Sequence, residues 1–193
     1  MENFNVSFEA HKQWVDSAGE FGKQISFDCT DMHSIPMKAP IMEQGFFSEC
    51  DFKGMTFENV DFYLSEFYSC DFSGAHFINC DFRKTTLDYS IFSGADFTNC
   101  RFSRVDAYKT QFDKCVFRNC SFVGFNLMEG SIREDYIEAT DFDGAYLDKV
   151  NAFGANVINP LNIEKINHIS LYFESSETVT EGIPAIERLQ HHD

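Results

Sequence analysis

Seven cysteines and six histidines are the residues best suited to hold a metal or do redox chemistry, and 31 carboxylates could supply acid–base pairs. Cys80, Cys100 and Cys120 recur at intervals of 20. None of His11, His33, His76, His168, His191 and His192 stands at a metal-ligand spacing from a cysteine. His191-His192 reads as a solvated tail. No Gly-rich phosphate loop is present. At a formal charge of −16, neighbouring carboxylates are expected by chance. The residues therefore assemble no catalytic constellation, and a protein without enzymatic activity, metal or cofactor is expected. The odd number of cysteines reads as reduced, buried thiols.

The elements that would position these residues follow from a repeat. From Phe47 to Val157 every fifth residue is large and apolar, except for Ala107 and Ala152. Phe27, Met32, Met37 and Met42 fall in the same phase upstream. Two residues before each of these lies a small one, as at Cys50, Cys70, Ala75, Cys80, Ser90, Ala95, Cys100, Thr110, Cys115 and Cys120. The residue between is often Asp or Asn, as at Asp51, Asp61, Asp71, Asp81, Asp96, Asp106, Asn126, Asp141, Asn151 and Asn156. A period of five fits neither a helix nor a strand. It requires a chain that turns a corner every five residues and closes a coil in twenty. Columns at 20 bear this geometry: Gly54, Gly74 and Gly94; Asn59, Asn79, Asn99 and Asn119; Phe62, Phe82, Phe102, Phe122 and Phe142. Coils stacked as in a parallel sheet rise about 4.8 Å each, so residues 47–157 make a rod of about 27 Å. Asp135 falls on a small inward site, where an unpaired carboxylate is expensive. A bulge near residues 133–136 or a hydrogen-bonded Asp135 is expected; Phe125 and Met55 are merely large for their sites.

Three regions follow: an N-terminal cap over residues 1–24 with the single Trp14, a β-helix over 25–157 that is regular from 47, and a C-terminal cap over 158–193. Asn159-Pro160 is expected to stop the coil, because Pro cannot donate to a ladder. Residues 174–182 read as a polar loop and 184–192 as a short helix with Pro184 at its start.

The triplets Cys50-Asp51-Phe52, Cys70-Asp71-Phe72 and Cys80-Asp81-Phe82 resemble the pentapeptide-repeat family, over at least residues 47–157. That resemblance implies an all-β, right-handed quadrilateral β-helix. Some members of similar length, acidity and Cys-Asp-Phe style protect or inhibit type II topoisomerases. The resemblance therefore implies a DNA mimic that binds DNA gyrase or topoisomerase IV and gives quinolone or toxin resistance. In such members a C-terminal helix forms a homodimer, which makes Ile166, Ile169, Leu171 and Phe173 candidates for a dimer or cap contact.

The charge fits a protein partner and argues against direct nucleic-acid binding, since phosphates would be repelled. The face centred on Phe47, Phe67, Leu87, Ala107, Leu127 and Leu147 carries Glu49, Glu66, Asp88, Asp106, Glu129 and Asp148, opposed only by Lys109 and Lys149. These six carboxylates are the candidate partner-binding residues. Residues 47–157 hold 18 acids and 10 bases, a net of −8. That is about −1.5 per coil, against roughly 2.8 phosphates per 4.8 Å of duplex. Mimicry could thus work along one face. Arg83, Lys84, Arg101 and Arg104 form a basic cluster on another face, which favours an interaction scaffold or effector unrelated to DNA. An immunity protein for a co-produced toxin is a third reading. No apolar run is long enough to span a membrane, and the first residues read as no secretory signal, so a cytoplasmic location is expected.

Overall fold

The computed structural model describes residues 4–34, 42–173 and 179–190. Met37, His191 and His192 lie outside them. The chain winds into a four-sided β-helix of about seven turns, each side stacking in parallel on the equivalent side of the next coil. The first face contains Ser26–Asp28, Phe46–Ser48, Glu66–Tyr68, Asp106–Tyr108, Asn126–Met128, Tyr146–Asn151 and His168–Tyr172. The third contains Thr56–Glu58, His76–Ile78, Asp96–Thr98, Val116–Arg118, Tyr136–Glu138 and Asn156–Ile158. The second face, centred on Phe52 and Phe72, and the fourth, centred on Phe62 and Phe82, are tight turns joined by single parallel bridges such as Asp51 to Asp71 and Asp61 to Asp81. At Leu87 the first face also takes the turn form. Thr86 bridges Glu66 and Asp106, so this face reads as a three-stranded and a five-stranded sheet.

The corners are made by the backbone. From Gln44 to Asn159, every fifth residue has a positive φ, and only Gly54, Gly74, Gly94, Gly124, Gly144 and Gly154 among them are glycine. In the turn Phe52–Met55, the Met55 N–H donates to the Phe52 carbonyl at 3.2 Å, with Gly54 at φ 62 in third place. This is the type II arrangement, which needs a left-handed residue there. Elsewhere Leu64, Lys84, Tyr89, Arg104 and Lys114 hold the same conformation, which disfavours an L side chain by roughly 1–2 kcal/mol. Five-residue closure is thus imposed on them by the stacking on either side.

Inside, the Phe rings stack in columns. Phe47 lies 4.7 Å from Phe67, Phe52 4.4 Å from Phe72, Phe62 4.7 Å from Phe82 and Phe82 4.8 Å from Phe102, all nearly parallel. Rings of adjacent faces meet edge to face, as Phe62 does with Phe67 at 70°. Both arrangements suit the ring quadrupole. The column on the fourth face changes at Phe122, whose ring stands at 79° to Phe102. Phe125, in a small-residue site, has taken the stacked place beside Phe122 at 4.8 Å. An oversized side chain there redirects its neighbour's ring and is not merely tolerated.

The small inward residues do more than fit. Thr85 donates its hydroxyl to the Phe62 carbonyl at 2.9 Å, Thr110 to Leu87 at 2.8 Å and Ser90 to Phe67 at 3.3 Å. Cys50, Cys70, Cys80, Cys100, Cys115 and Cys120 direct their thiols to the carbonyl at the same offset of 23 residues. Asp135 occupies this series without a bulge. Its Oδ1 accepts the Cys115 N–H at 2.8 Å, as the Ser90 hydroxyl accepts the Cys70 N–H at 3.1 Å. Its Oδ2 is buried and has no hydrogen-bond partner among the described residues. Burial pushes the Asp135 carboxyl well above the usual carboxylate range, which favours its protonated form.

The Asp and Asn residues beside the rings separate by face. On the turn faces, Asp51, Asp61, Asp71, Asp81, Asp141 and Asn151 each accept the backbone N–H two residues on, at 2.8–3.2 Å. Asx turns of this kind close the corner. On the strand faces, Asp96 and Asp106 make side-chain contacts to a neighbouring coil, with His76 of the preceding one and Asn126 of the following one.

Both described ends are covered. Helix α1 (Phe4–Asp16) packs Phe8 on Phe27 and buries His11. The Ile25 N–H donates to His11 Nδ1 at 3.1 Å, and Nε2 faces the Glu43 carbonyl at 2.7 Å. The ring is therefore neutral with its proton on Nε2, and burial lowers its pKa. At the other end the coil does not stop at Asn159-Pro160. The Leu161 N–H donates to Thr140 at 2.9 Å, and His168–Tyr172 still pairs with Tyr146–Asn151. Pro160 is accommodated because its counterparts Cys80, Cys100, Cys120 and Thr140 give no backbone N–H to a neighbouring coil. The expected loop over 174–182 is in part a strand, Val179–Glu181, antiparallel to His168–Tyr172. Helix α2 (Gly182–Gln190) follows, starting two residues before Pro184, and buries Ala185 and Leu189.

Candidate protein-binding face

The candidate carboxylates lie on the first face and its outgoing corner, spread over three parallel columns. Glu66 and Asp106 lead into the strands, Asp88 and Asp148 lie just past the inward residue, and Glu49 and Glu129 occupy left-handed corners. Every one has a partner in the chain. Asp88, on the rung that takes the turn form, accepts the Tyr108 backbone N–H at 2.9 Å. Glu66 accepts the Tyr68 hydroxyl at 3.1 Å, and Asp106 the Asn126 amide at 3.0 Å. Glu129 meets Lys109 at 3.6 Å and the Tyr108 hydroxyl at 3.2 Å; Asp148 meets His168 at 3.2 Å; Glu49 accepts the Cys29 thiol at 3.6 Å. Asp88 is thus part of the scaffold, and the other five are oriented outward groups.

Tyrosines on the same face went unnoticed in the charge pattern. Tyr68, Tyr89, Tyr108 and Tyr146 stand among the acids, with Phe46 and Met128. Tyr89 is 50% exposed and meets Tyr108 edge-on at 5.4 Å. Lys109 lies over the Tyr108 ring at 5.1 Å, and first that side chain, then Glu129, holds its amine above the usual lysine range. Their signal in the sequence was that four of the seven tyrosines fall at outward positions of this face.

The fourth-face bases are largely neutralised locally. Arg83 pairs with Asp81 at 2.7 Å and Arg101 approaches the same carboxylate at 3.6 Å. Lys84 donates to the Tyr63 hydroxyl at 2.9 Å. Arg104 stands apart from these pairs.

Of the four candidate dimer or cap residues, Ile169 and Leu171 are buried in the chain, while Ile166 and Phe173 are partly buried against the core. Arg188 of α2 lies over the Phe173 ring at 4.5 Å. The thiols expected to be reduced and buried are buried except Cys29, which is exposed. Cys80 is pushed far up, chiefly by Cys100 and then by burial, and Cys100 up to about 12, chiefly by Cys120. Among the described residues no helix is long and apolar enough to cross a membrane.

Among solved structures the chain is similar to HetL, a pentapeptide repeat protein involved in heterocyst differentiation regulation in the cyanobacterium Nostoc, at 13% identity and TM-score 0.42 over 72% of this chain and 83% of that one. It is also similar to full-length QnrB1, a plasmid-mediated fluoroquinolone resistance protein, at 13% identity and TM-score 0.46 over 80% and 94%. A pentapeptide repeat protein of the Arabidopsis thaliana thylakoid lumen matches at 23% identity and TM-score 0.43 over 55% and 71%. No curated protein matches the chain. The family model for pentapeptide repeats matches in eight copies, over residues 47–83 and 65–104. With that match, and with the five-residue phase running unbroken through four-sided coils, residues 47–104 carry the repeats of the pentapeptide-repeat family.

Proposed function

We propose that the chain is a non-catalytic binding protein whose first face occupies a basic, DNA-binding surface of a type II topoisomerase. One observation carries this reading: along a straight face, five outward carboxylates are oriented by neighbours and only Lys109 and Lys149 oppose them. Fixed acids on a rigid ladder lose little freedom when a basic surface docks, which favours association. The choice of partner follows the Cys-Asp-Phe resemblance. The mechanism is competition: the face excludes duplex DNA from its seat, with no bond made or broken.

Supercoiling by DNA gyrase, with and without a quinolone, tests this. Micromolar protein is expected to inhibit supercoiling or relieve quinolone poisoning. The triple substitution Glu66→Gln, Asp106→Asn, Asp148→Asn is expected to weaken the effect by about a hundredfold, at about 1 kcal/mol per removed contact. No effect on the enzyme and no capture of it would end this reading.

A second reading, a scaffold for a partner unrelated to DNA, is favoured by the Tyr63, Arg83 and Lys84 group on the fourth face, where two cations lie over one ring at 5.6 and 5.1 Å. A DNA mimic gains nothing from it. Arg83→Ala would abolish partner capture under this reading and leave topoisomerase inhibition unchanged under the first.

A further inference from the structure

A shallow hollow of about 440 Å³ opens where the fourth face turns into the first, lined by Arg104, Asp106, Gly124, Asn126, Met128 and Tyr146. Its origin is local. The corner column reads Gln44, Leu64, Lys84, Arg104, Gly124 and Gly144, so side chains cease at Arg104 and the next two corners are bare. A Cβ on Gly124 would stand 3.5 Å from the Arg104 Cγ.

Asn126 donates its Nδ2 to Asp106 Oδ1 at 3.0 Å, which fixes the amide and leaves Oδ1 as an acceptor. That oxygen is buried and closed to the hollow, so the amide serves to hold the Asp106 carboxylate in place. Beside it stand the Asp106 carboxylate and the Tyr146 ring, 37% exposed. A carboxylate held beside an exposed aromatic ring suits a flat cation with several N–H donors, which is a guanidinium. The same face already holds a cation in this manner, with Lys109 over Tyr108 and 3.6 Å from Glu129. The His168 imidazole, stacked on Tyr146 at 4.6 Å and 3.2 Å from Asp148, repeats the arrangement one coil on.

We infer that this hollow receives an arginine side chain of the protein partner, its guanidinium on the Asp106 carboxylate and its plane against Tyr146. The inference rests on the proposed docking of a basic surface and names the side chain that anchors it. Arg104, which forms no ion pair among the described residues, lines the same hollow and opposes a second cation. Its removal therefore strengthens an arginine seat and would weaken an anion seat.

The test titrates hexa-arginine and hexa-lysine peptides into the full chain by calorimetry at about 0.15 M salt, where unselective attraction is screened. The native chain is expected to prefer hexa-arginine by about fivefold or more, since an ammonium lacks the planar fork. Asp106→Asn and Tyr146→Leu are expected to erase the preference, whereas Asp143→Asn, which removes an equal charge from the fourth face, leaves it intact. Arg104→Gln is expected to tighten hexa-arginine binding about threefold by lifting like-charge repulsion. A preference indifferent to Asp106 and Tyr146, or weaker binding by Arg104→Gln, overturns the seat. The two readings fail separately. Selective peptide binding with an untouched gyrase discards the topoisomerase and keeps the seat. Gyrase inhibition equal in the native chain and in Asp106→Asn, Tyr146→Leu keeps the topoisomerase and discards the seat.

Discussion

Asp135 is the residue whose chemistry and position conflict most. A carboxyl stands where the neighbouring coils place Ser90, Thr110 or Cys115, and it meets the demand of that site with one oxygen only. Because burial raises its pKa, folding takes up a proton as soon as the unfolded carboxyl ionises. Its stabilising contribution is complete below about pH 3.9 and declines above it by up to about 1.4 kcal/mol per pH unit, until the raised folded pKa is reached. Asp135→Asn is expected to be more stable than the native chain at pH 7, with the gap closing toward pH 4. Urea unfolding of both proteins at several pH values measures it, and a constant gap would refute the assignment. His11 has the opposite sign. Its pKa is lowered, chiefly by burial, with the Glu43 carbonyl and carboxylate acting against that shift. Its contribution is present above about pH 6.5 and is lost as pH falls below it. Protonation would also set a proton on Nδ1 against the Ile25 N–H. Amide exchange is expected to show α1 and Ile25 losing protection as pH falls below about 6.5 while residues 47–157 keep theirs; His11→Gln should show no such step.

The corner is the element that repeats most and was least visible. Period five was legible because in-and-out alternation leaves its mark in side-chain size: large at Phe62, small at Cys80, polar between. A left-handed backbone leaves such a mark only through Gly or Asn, and here many corners carry Lys, Glu, Tyr or Leu, whose identity answers to solvent and not to φ. The Asp residues beside the rings were legible as a class, but their division into turn closers and outward contacts was not, because it depends on which faces are strands. The ends were legible as breaks in phase, while their form was not, because a cap is used once and has no period. Pro160 misled for a related reason: whether an N–H is needed there is fixed by the coil geometry. Two substitutions test the corner. Gly74→Ala meets nothing within 4 Å, so its expected cost of about 1 kcal/mol is conformational alone. Lys114→Gly relieves the same strain at φ 61 and is expected to be neutral or stabilising by up to about 1 kcal/mol. Thermal melts of the pair should move in opposite directions.

At the scale of the molecule, the rod is held by contacts between successive coils, so local losses are felt by nearest neighbours. Phe82 touches rings on its own coil and stacks on Phe62 and Phe102 at 4.7 and 4.8 Å. Phe82→Ala is expected to cost about 3–5 kcal/mol, the range for a ring removed from a packed core. Chemical denaturation would show it as a lowered midpoint, and a loss under about 1 kcal/mol would mean that the stacks carry little of the stability. The same logic makes the Phe122–Phe125 crossing more than a packing detail. Below it, three columns of rings lock coil to coil, while the first face turns aliphatic from Leu87. Above it, the inward residues are Leu127, Ile132, Ile137, Leu147, Ala152 and Val157, with Phe142 alone among them and edge-on to Phe122. Melting therefore acquires a polarity: the aliphatic third should fray first and the aromatic segment last, so a protease would pare the rod from its carboxyl end toward a resistant stump.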